Sequence, residues 1–221
     1  NFEINPAFGS IAFNQIADRN LKGAKGLLGP NNIEEIELSI DWRLVQGLGG
    51  ASVYETSMSL HHIYGIPFIS SSSLKGVMRS YIILNVYQKE MQKGAEAEKL
   101  ALQNPIFSRW FGDVGQKGAL IFFDAFPLEE PHLEVDIMNP HYGPYYSDPK
   151  VQTPPADYHN PVPIPFLTVS KTSFRVVFGA LDKGLLKEPL EGKSAVQWLH
   201  SALTHHGIGA KTAVGYGYFK T

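Results

Sequence analysis

An α+β domain is the fold class this sequence predicts, and three observations predict it. A period-two apolar pattern occupies residues 33–45, two capped stretches with helical spacing follow it, and strand-like runs fall between and after those stretches. The resulting order is strand, helix, strand, strand, helix, strand, the βαββαβ core of ferredoxin-like (RRM-like) domains. At 221 residues, one such domain with a large insertion accounts for the length.

In residues 33–45, Ile36, Leu38 and Ile40 alternate with Glu37, Ser39 and Asp41, which predicts a first strand with one apolar face. Residues 46–72 are rich in Gly and Ser and read as a loop. Ser73 has the hydroxyl of an N-cap, and Leu74, Val77, Met78, Tyr81, Ile82 and Val86 recur at helical spacing, predicting a helix to about Met91. Asn104 followed by Pro105 predicts a shorter helix ending near Phe111-Gly112, because proline at the first helical position forgoes only an amide that would go unpaired anyway. Ala119 to Phe126 reads as a buried strand. Residues 127–165 hold ten of the fifteen prolines, each removing a backbone donor. That stretch is expected as an extended insertion between the second and third core strands, with little regular ladder. Thr172 to Ala180, rich in Phe and Val, predicts the third strand. Ser194 then caps a helix through His206, with Trp198, Leu199, Ala202 and Leu203 inward and Gly207 as its stop. Ala213 to Phe219 closes the domain as a last strand. The core is therefore expected in residues 33–126 and 166–221, its four strands in one sheet and both long helices on one face; no element is read in residues 1–32.

Hydrophobic residues at 43% and aromatics at 12% exclude a disordered chain, and the apolar runs are too short to span a bilayer. With no cysteine there is no disulfide, thiolate metal site or cysteine nucleophile, which suits a reducing, cytoplasmic setting. The net charge of -2 is unlike that of a phosphate binder, but it is an average over segregated segments. Residues 71–118 carry +3 and 166–221 carry +4, against -4 in 31–70 and -6 in 119–165. Such segregation permits one basic face and one acidic face.

Two segments have the chemistry of phosphate-contacting backbone. In Ser70-Ser71-Ser72-Ser73-Leu74-Lys75-Gly76-Val77-Met78-Arg79, a turn enters a helix whose unpaired amides and positive dipole end attract anions, and Lys75 and Arg79 share a helical face. An ordinary capped helix with two solvated cations is the alternative. In the run from His206 to Phe219, Gly207 and Gly209 let the backbone of Ala210, Lys211 and Thr212 approach a ligand closely, while a plain glycine-rich turn is the alternative. Ala210 stands where a Walker loop needs glycine, and no third glycine completes a dinucleotide fingerprint, so nucleotide hydrolysis is disfavoured. Gly215-Tyr216-Gly217-Tyr218-Phe219 mimics part of an RNA-recognition consensus but lacks its leading basic residue.

Together these segments resemble the RAMP superfamily, whose members have a ferredoxin-like core, a Ser-Ser-Leu-Lys-Gly-x-x-Arg helix start and a C-terminal glycine-rich loop. Gly118 to Ala125 looks like the strand they share, while Asp136 to His141, Pro161 to Leu167 and Gly207 to Thr212 look like the sixth-subunit family of the type III-B CRISPR (Cmr) complex. The resemblance spans about residues 33–221; Ser70-Ser71 stand where relatives usually carry Pro-Gly. It implies a non-catalytic subunit that contacts guide-RNA backbone through Ser72, Ser73, Lys75, Arg79, Gly207, Gly209, Ala210, Lys211 and Thr212, and caps a filament near the guide's 3′ end. The implied partners are guide RNA, target RNA, the repeated backbone RAMP subunit, the small helical subunit and the first subunit of the complex. No cofactor is implied, and in this family the slicing carboxylate belongs to the repeated neighbour. If the fold is ferredoxin-like, Lys75, Arg79 and Lys211 are expected to converge, with amides around Ser72, Ser73, Gly209 and Ala210 completing a phosphate groove.

Two other classes compete. An endoribonuclease would use one of the eight histidines, but His61-His62 and His205-His206 are adjacent pairs whose side chains diverge on a strand or a helix. Glu55, Asp113, Asp136 and Asp157 show no two-metal spacing and read as solvated loop acids. A purely structural cap would use the acidic insertion, where Tyr142, Tyr145, Tyr146 and Tyr158 pack on protein or stack on bases.

Overall fold

The structure is a computed structural model that describes residues 2–4, 8–50, 56–88, 94–139, 145, 150, 154, 161–182 and 184–220. Its strands are β1 (Phe2–Ile4), β2 (Ile33–Ile40), β3 (Leu120–Phe122), β4 (Phe126–Pro127), β5 (His132–Met138), β6 (Ile164–Ser170), β7 (Ser173–Ala180) and β8 (Phe219–Lys220). Its α-helices are α1 (Phe13–Leu28), α2 (Ser71–Ile82), α3 (Ala95–Gln103), α4 (Pro105–Phe111) and α5 (Ala195–His205). The class is mixed α and β with antiparallel sheets. One sheet runs β3-β7-β2-β8, with β4 also on β7, and a second runs β1-β5-β6. Segments from all four expected strand regions thus share one sheet.

The period-two pattern of β2 builds the core directly. Leu38 and Ile40 are buried on the face that meets Phe174, Val176 and Phe178 of β7, Leu74, Met78 and Ile82 of α2, and Trp198, Leu199 and Leu203 of α5. Both long helices therefore cover one face, and truncating a fully buried leucine such as Leu74 to alanine would cost about 2–5 kcal/mol. The opposite face is not open. There α1 buries Phe13, Ile16, Ala17, Ala24 and Leu28, and Arg175 of β7 reaches Asp18 and Glu37. At Gly179 a Cβ would lie 2.3 Å from the Asn32 carbonyl oxygen, so only glycine lets the end of α1 approach β7 this closely.

Several expectations need correction. The first strand ends at Ile40 rather than residue 45, because the chain bends at Asp41-Trp42 before Leu44 bridges to Val169 of the second sheet. The cap of α2 is Ser70, not Ser73; its hydroxyl accepts from the Ser73 amide at 3.3 Å. The helix ends in a π-turn over Ile83–Tyr87, and Met91 lies outside the described residues. The expected strand 119–126 is split, since Ala125 turns away to pair with Ile69. The proline-rich stretch contains a regular seven-residue strand, β5, in its proline-free window, paired along its length with β6. The last strand is only Phe219–Lys220, because Gly215 (φ 98°) and Gly217 (φ 77°) fold the residues before it into turns. Helices α1 and α3 are additions. The Asn104 and Ser194 caps sit as expected, the latter as a full capping box with Gln197. Among the described residues no helix is long and apolar enough to cross a membrane.

Candidate functional site

The start of α2 and the loop after α5, far apart in sequence, wall one open cleft of about 520 Å³. Ser73, Gly76 and Val77 lie on one side, Gly207, Gly209, Ala210 and Thr212 on the other, and residues 46–49 complete the lining.

On the helix side, amides are the relevant groups. The Ser71 amide donates to the Asp124 carboxylate at 2.7 Å and the Ser73 amide to Ser70, whereas the Ser72 amide has no partner among the described residues. Ser70 Oγ is also 3.1 Å from Ser72 Oγ and 2.7 Å from Ser73 Oγ, a hydroxyl cluster at the positive end of the helix. One turn on, Gly76 leaves the wall bare, with nothing within 4 Å of where a Cβ would stand.

On the loop side, backbone hydrogen bonds do the positioning. Ile208 donates to Gly217 at 2.9 Å, Ala210 to Val45 at 2.9 Å and Gly217 to Arg43 at 2.7 Å, lacing the loop to residues 43–45. Gly209, at φ 93°, brings its backbone so near that a Cβ would stand 2.3 Å from the Val45 carbonyl oxygen. Lys211 is left-handed at φ 62° despite its side chain. Of the expected groove amides, those of Ser73 and Ala210 are consumed inside the chain, while those of Ser72, Gly209, Lys211 and Thr212 have no partner among the described residues.

The three cations do not converge on the cleft. Lys75 and Arg79 sit on the far flank of α2, where Arg79 donates to Glu98 at 2.6 Å and lies 5.6 Å from the Phe107 ring centre. Burial, then the charges of Arg79 and Lys117, lower the Lys75 pKa. Lys211 turns to the second sheet, with Nζ 5.3 Å from the Phe166 ring centre. The expectation placed all three by helical spacing and loop position, but the helix presents Ser73 and Gly76, not Lys75 and Arg79, to the loop.

Two features escaped the sequence reading. Gln46 is 7% exposed in the cleft lining, and its side-chain Nε2 has no hydrogen-bond partner among the described residues. A buried, unpartnered donor costs about 1–3 kcal/mol unless a ligand meets it. Its position beside Gly47 in a glycine-rich loop was the only available signal. The second is a polar network beneath the loop. Arg43 bridges Glu134, at 2.6 Å, and Asp136, Ser170 donates to Glu134, and the Tyr216 hydroxyl donates to Asp136 at 2.6 Å. The Ser170 hydrogen bond and the Arg43 charge hold the Glu134 carboxyl below its ordinary value despite burial. Burial alone would raise Asp136, but Tyr216, the Ile137 amide and Arg43 outweigh it and lower the pKa. Burial and the adjacent Asp136 push the Tyr216 phenol up to about 12.

The remaining candidates separate. His61 stacks on His62 with centres 5.0 Å apart, a loop arrangement that strand or helix geometry did not anticipate. His205 is tied to Thr204 and to the Ser201 carbonyl, and His206 faces Tyr81. Asp113 caps its own turn through the amides of Gly115 and Gln116, and Asp136 belongs to the Arg43 network rather than to solvent. Tyr145 is half-buried; Glu55, Tyr142, Tyr146, Asp157 and Tyr158 lie outside the described residues. Among the described residues no three His, Asp or Glu side chains are grouped to hold a metal ion.

The RAMP superfamily model matches residues 44–220, which includes both walls of the cleft. The chain is 38% identical over 223 aligned positions to Cmr6, a CRISPR system Cmr subunit of Pyrococcus furiosus, an alignment covering 79% of this chain and 64% of that protein. It is 26% identical to Cmr6 of Saccharolobus solfataricus, over 85% of this chain and 57% of that protein. The chain thus spans about three fifths of the length of these relatives. The crystal structure of Pyrococcus furiosus Cmr6 superposes with a TM-score of 0.51 at 34% identity, covering 86% of this chain and 98% of that one. A chain of the type III-B Cmr-beta complex, solved by cryo-electron microscopy bound to cognate target RNA, shares the fold at TM-score 0.67 and 21% identity, covering 95% of this chain and 66% of that one. With the helix start, the glycine-rich loop and the family match all falling on the same cleft, the chain belongs to the RAMP superfamily, as a homologue of Cmr6.

Proposed function

We propose that this chain is a non-catalytic, RNA-binding subunit of a CRISPR RNA-guided RNA-targeting complex of the type III-B Cmr kind, holding guide-RNA backbone in the cleft between α2 and the glycine-rich loop. The observation that carries the reading is the cleft's donor set. The Gln46 Nε2 and the amides of Ser72, Gly209 and Thr212, without partners among the described residues, belong to residues in or beside one cleft, and uncharged donors of this kind suit phosphate and ribose oxygens. Three of the four are backbone amides, which suits a strand held by its backbone with its bases left free to pair. Lys75 and Arg79 on one flank and Lys211 on the other supply the field that draws the strand in. The strand order β3-β7-β2-β8 with α2 and α5 on one face supports a ferredoxin-like core. Kinship with Cmr6 supports a place at the filament end near the guide's 3′ end. There the neighbours would be the repeated backbone subunit, the small helical subunit and the first Cmr subunit, with target RNA paired to the guide.

Guide-RNA affinity across a salt series tests this. Each phosphate that a cation neutralises on a single strand adds about 0.7 to the slope of log affinity against log salt; because Lys75, Arg79 and Lys211 stand outside the cleft and Arg79 is paired with Glu98, a triple Lys75→Ala, Arg79→Ala, Lys211→Ala variant should flatten that slope by less than about 2. Equal slopes in two folded proteins would mean that none of the three cations contacts phosphate, whereas absence of guide-RNA binding by the wild-type chain would favour a protein-only cap. Cleavage of RNA by the pure chain, abolished by a single His→Ala change, would favour an endoribonuclease instead.

A further inference from the structure

Of the three tryptophans, Trp110 and Trp198 are 0% and 4% exposed, but Trp42 is 50% exposed. The covered part of this indole is firmly backed. The Tyr216 ring centre lies 4.8 Å from that of Trp42 at an interplanar angle of 37°, and the Arg43 guanidinium lies 5.1 Å from the indole centre. Both supports are fixed from below by the Arg43, Glu134, Asp136 and Tyr216 network. A buried ionic network of that kind contributes little net stability relative to apolar packing. What it does supply is a rigid aromatic surface presented to solvent at the bend after β2.

Beside the indole is a pocket of about 330 Å³, lined by Trp42, Ser39, Asp41, Lys171, Thr172 and Lys220 among others. That is the small end of the range for small-molecule pockets. Its composition discriminates between occupants. The core of a protein interface is depleted of charge, whereas this pocket surrounds one aromatic ring with hydroxyls, two lysines and the carboxylates of Asp41 and Glu129. A flat ring carrying a sugar and a phosphate matches it better. The Lys220 pair with Asp41 is 3.3 Å long and 58% exposed on both sides, weak enough to yield to a phosphate.

We propose that this pocket takes one nucleotide of single-stranded RNA, with its base stacked on the exposed indole of Trp42 and its phosphate at Lys220. This rests on the RNA-binding reading above and adds to it a stacking residue that is tolerant of sequence, because every base has a π face. The two are separable by experiment. Because the other indoles are buried, an unstructured oligouridylate added to the full chain should quench Trp42 emission and protect it from iodide, while fluorescence anisotropy of labelled RNA reports binding independently. Trp42→Ala should weaken binding about tenfold with an unchanged salt slope, and Trp42→Phe should recover most of that affinity. Binding without quenching, or equal affinity of wild type and a folded Trp42→Ala variant, overturns the stacking proposal and leaves the cleft reading intact. Absence of any RNA binding by the wild-type chain overturns the cleft reading, and the stacking proposal with it.

Discussion

The start of α2 and the loop after α5 wall the same cleft but are held there by different means. The helix is local: a serine cap, an apolar stripe of Leu74, Met78 and Ile82, and the packing of that stripe on the core that any amphipathic helix makes. The loop is tertiary throughout. It has almost no regular structure of its own, and its course is set by three backbone hydrogen bonds to residues 43–45 and within the loop itself, by left-handed turns, and by the ionic network under Tyr216. Damage to the helix side should therefore be graded, while damage to the loop side should be steep.

The largest effect is expected at Arg43. Arg43→Ala leaves Glu134 and Asp136 as charges without their cation in a site where the Arg43 and Glu134 side chains are only 11% exposed, which should cost about 3–5 kcal/mol in a denaturant titration. The same network fixes a pH signature. Glu134 and Asp136 have folded pKa values below their unfolded ones, so their stabilisation is present above the ordinary carboxylate range and is lost as pH falls through the lowered values. Tyr216 has the opposite sign: its share is complete below the unfolded value near 10 and is lost as pH rises through about 12. Wild-type stability measured against pH should fall at both ends. An Arg43→Ala variant with the same acid limb as wild type would show that the network does not stabilise the loop.

A pair of glycines sharpens the comparison within the loop. Gly217 and Gly215 both have positive φ, but a Cβ at Gly217 would stand 1.9 Å from the Ile208 carbonyl oxygen, whereas Gly215 has open space around it. Gly217→Ala should therefore cost about 3 kcal/mol, and Gly215→Ala only about 1 kcal/mol for the backbone conformation. In a chain of this size the corresponding melting shifts are about 6–12 °C and 2–4 °C. Equal shifts would mean that conformation alone, rather than close approach to Ile208, holds the loop.

This contrast also governs what could be read in the amino-acid chain. Asn104-Pro105, Ser194 with Gln197, and the alternation in β2 are local devices, and each sits where its local chemistry puts it. Four consecutive serines offer four possible caps for α2; the choice of Ser70 depends on Asp124, 53 residues away, receiving the Ser71 amide. Strand β5 was hidden by averaging, since Leu133, Val135 and Ile137 alternate in a window free of the prolines on either side. Helix α1 has apolar spacing at Phe13, Ile16, Ala17, Ala24 and Leu28, but no side-chain cap and two internal glycines blur it. Both cleft segments were visible as glycine and serine chemistry. Gln46 and Trp42 were not, because an unpartnered amide and a one-sided indole exist only once the fold has chosen what surrounds them.

The smallest expected effect lies on the helix side, at Gly76, and it separates stability from binding. Glycine in the middle of a helix is destabilising by about 0.5–1 kcal/mol relative to alanine, through the entropy of its unfolded state. Among the described residues nothing lies within 4 Å of a Cβ at this position, so they accept a methyl group without strain. Gly76→Ala should therefore raise the melting temperature by about 1–4 °C. An occupant of the cleft would lose room, because Gly76 forms part of its wall between Ser73 and Val77. If RNA backbone lies against that wall, the stabilised variant should bind guide RNA more weakly, with a salt slope unchanged because every cation is still present. Binding and melting measured on the same preparation decide the matter. A variant that melts higher and binds as tightly as wild type would mean that the strand does not touch α2 at this turn and runs instead along the loop and residues 46–49 on the other side of the cleft.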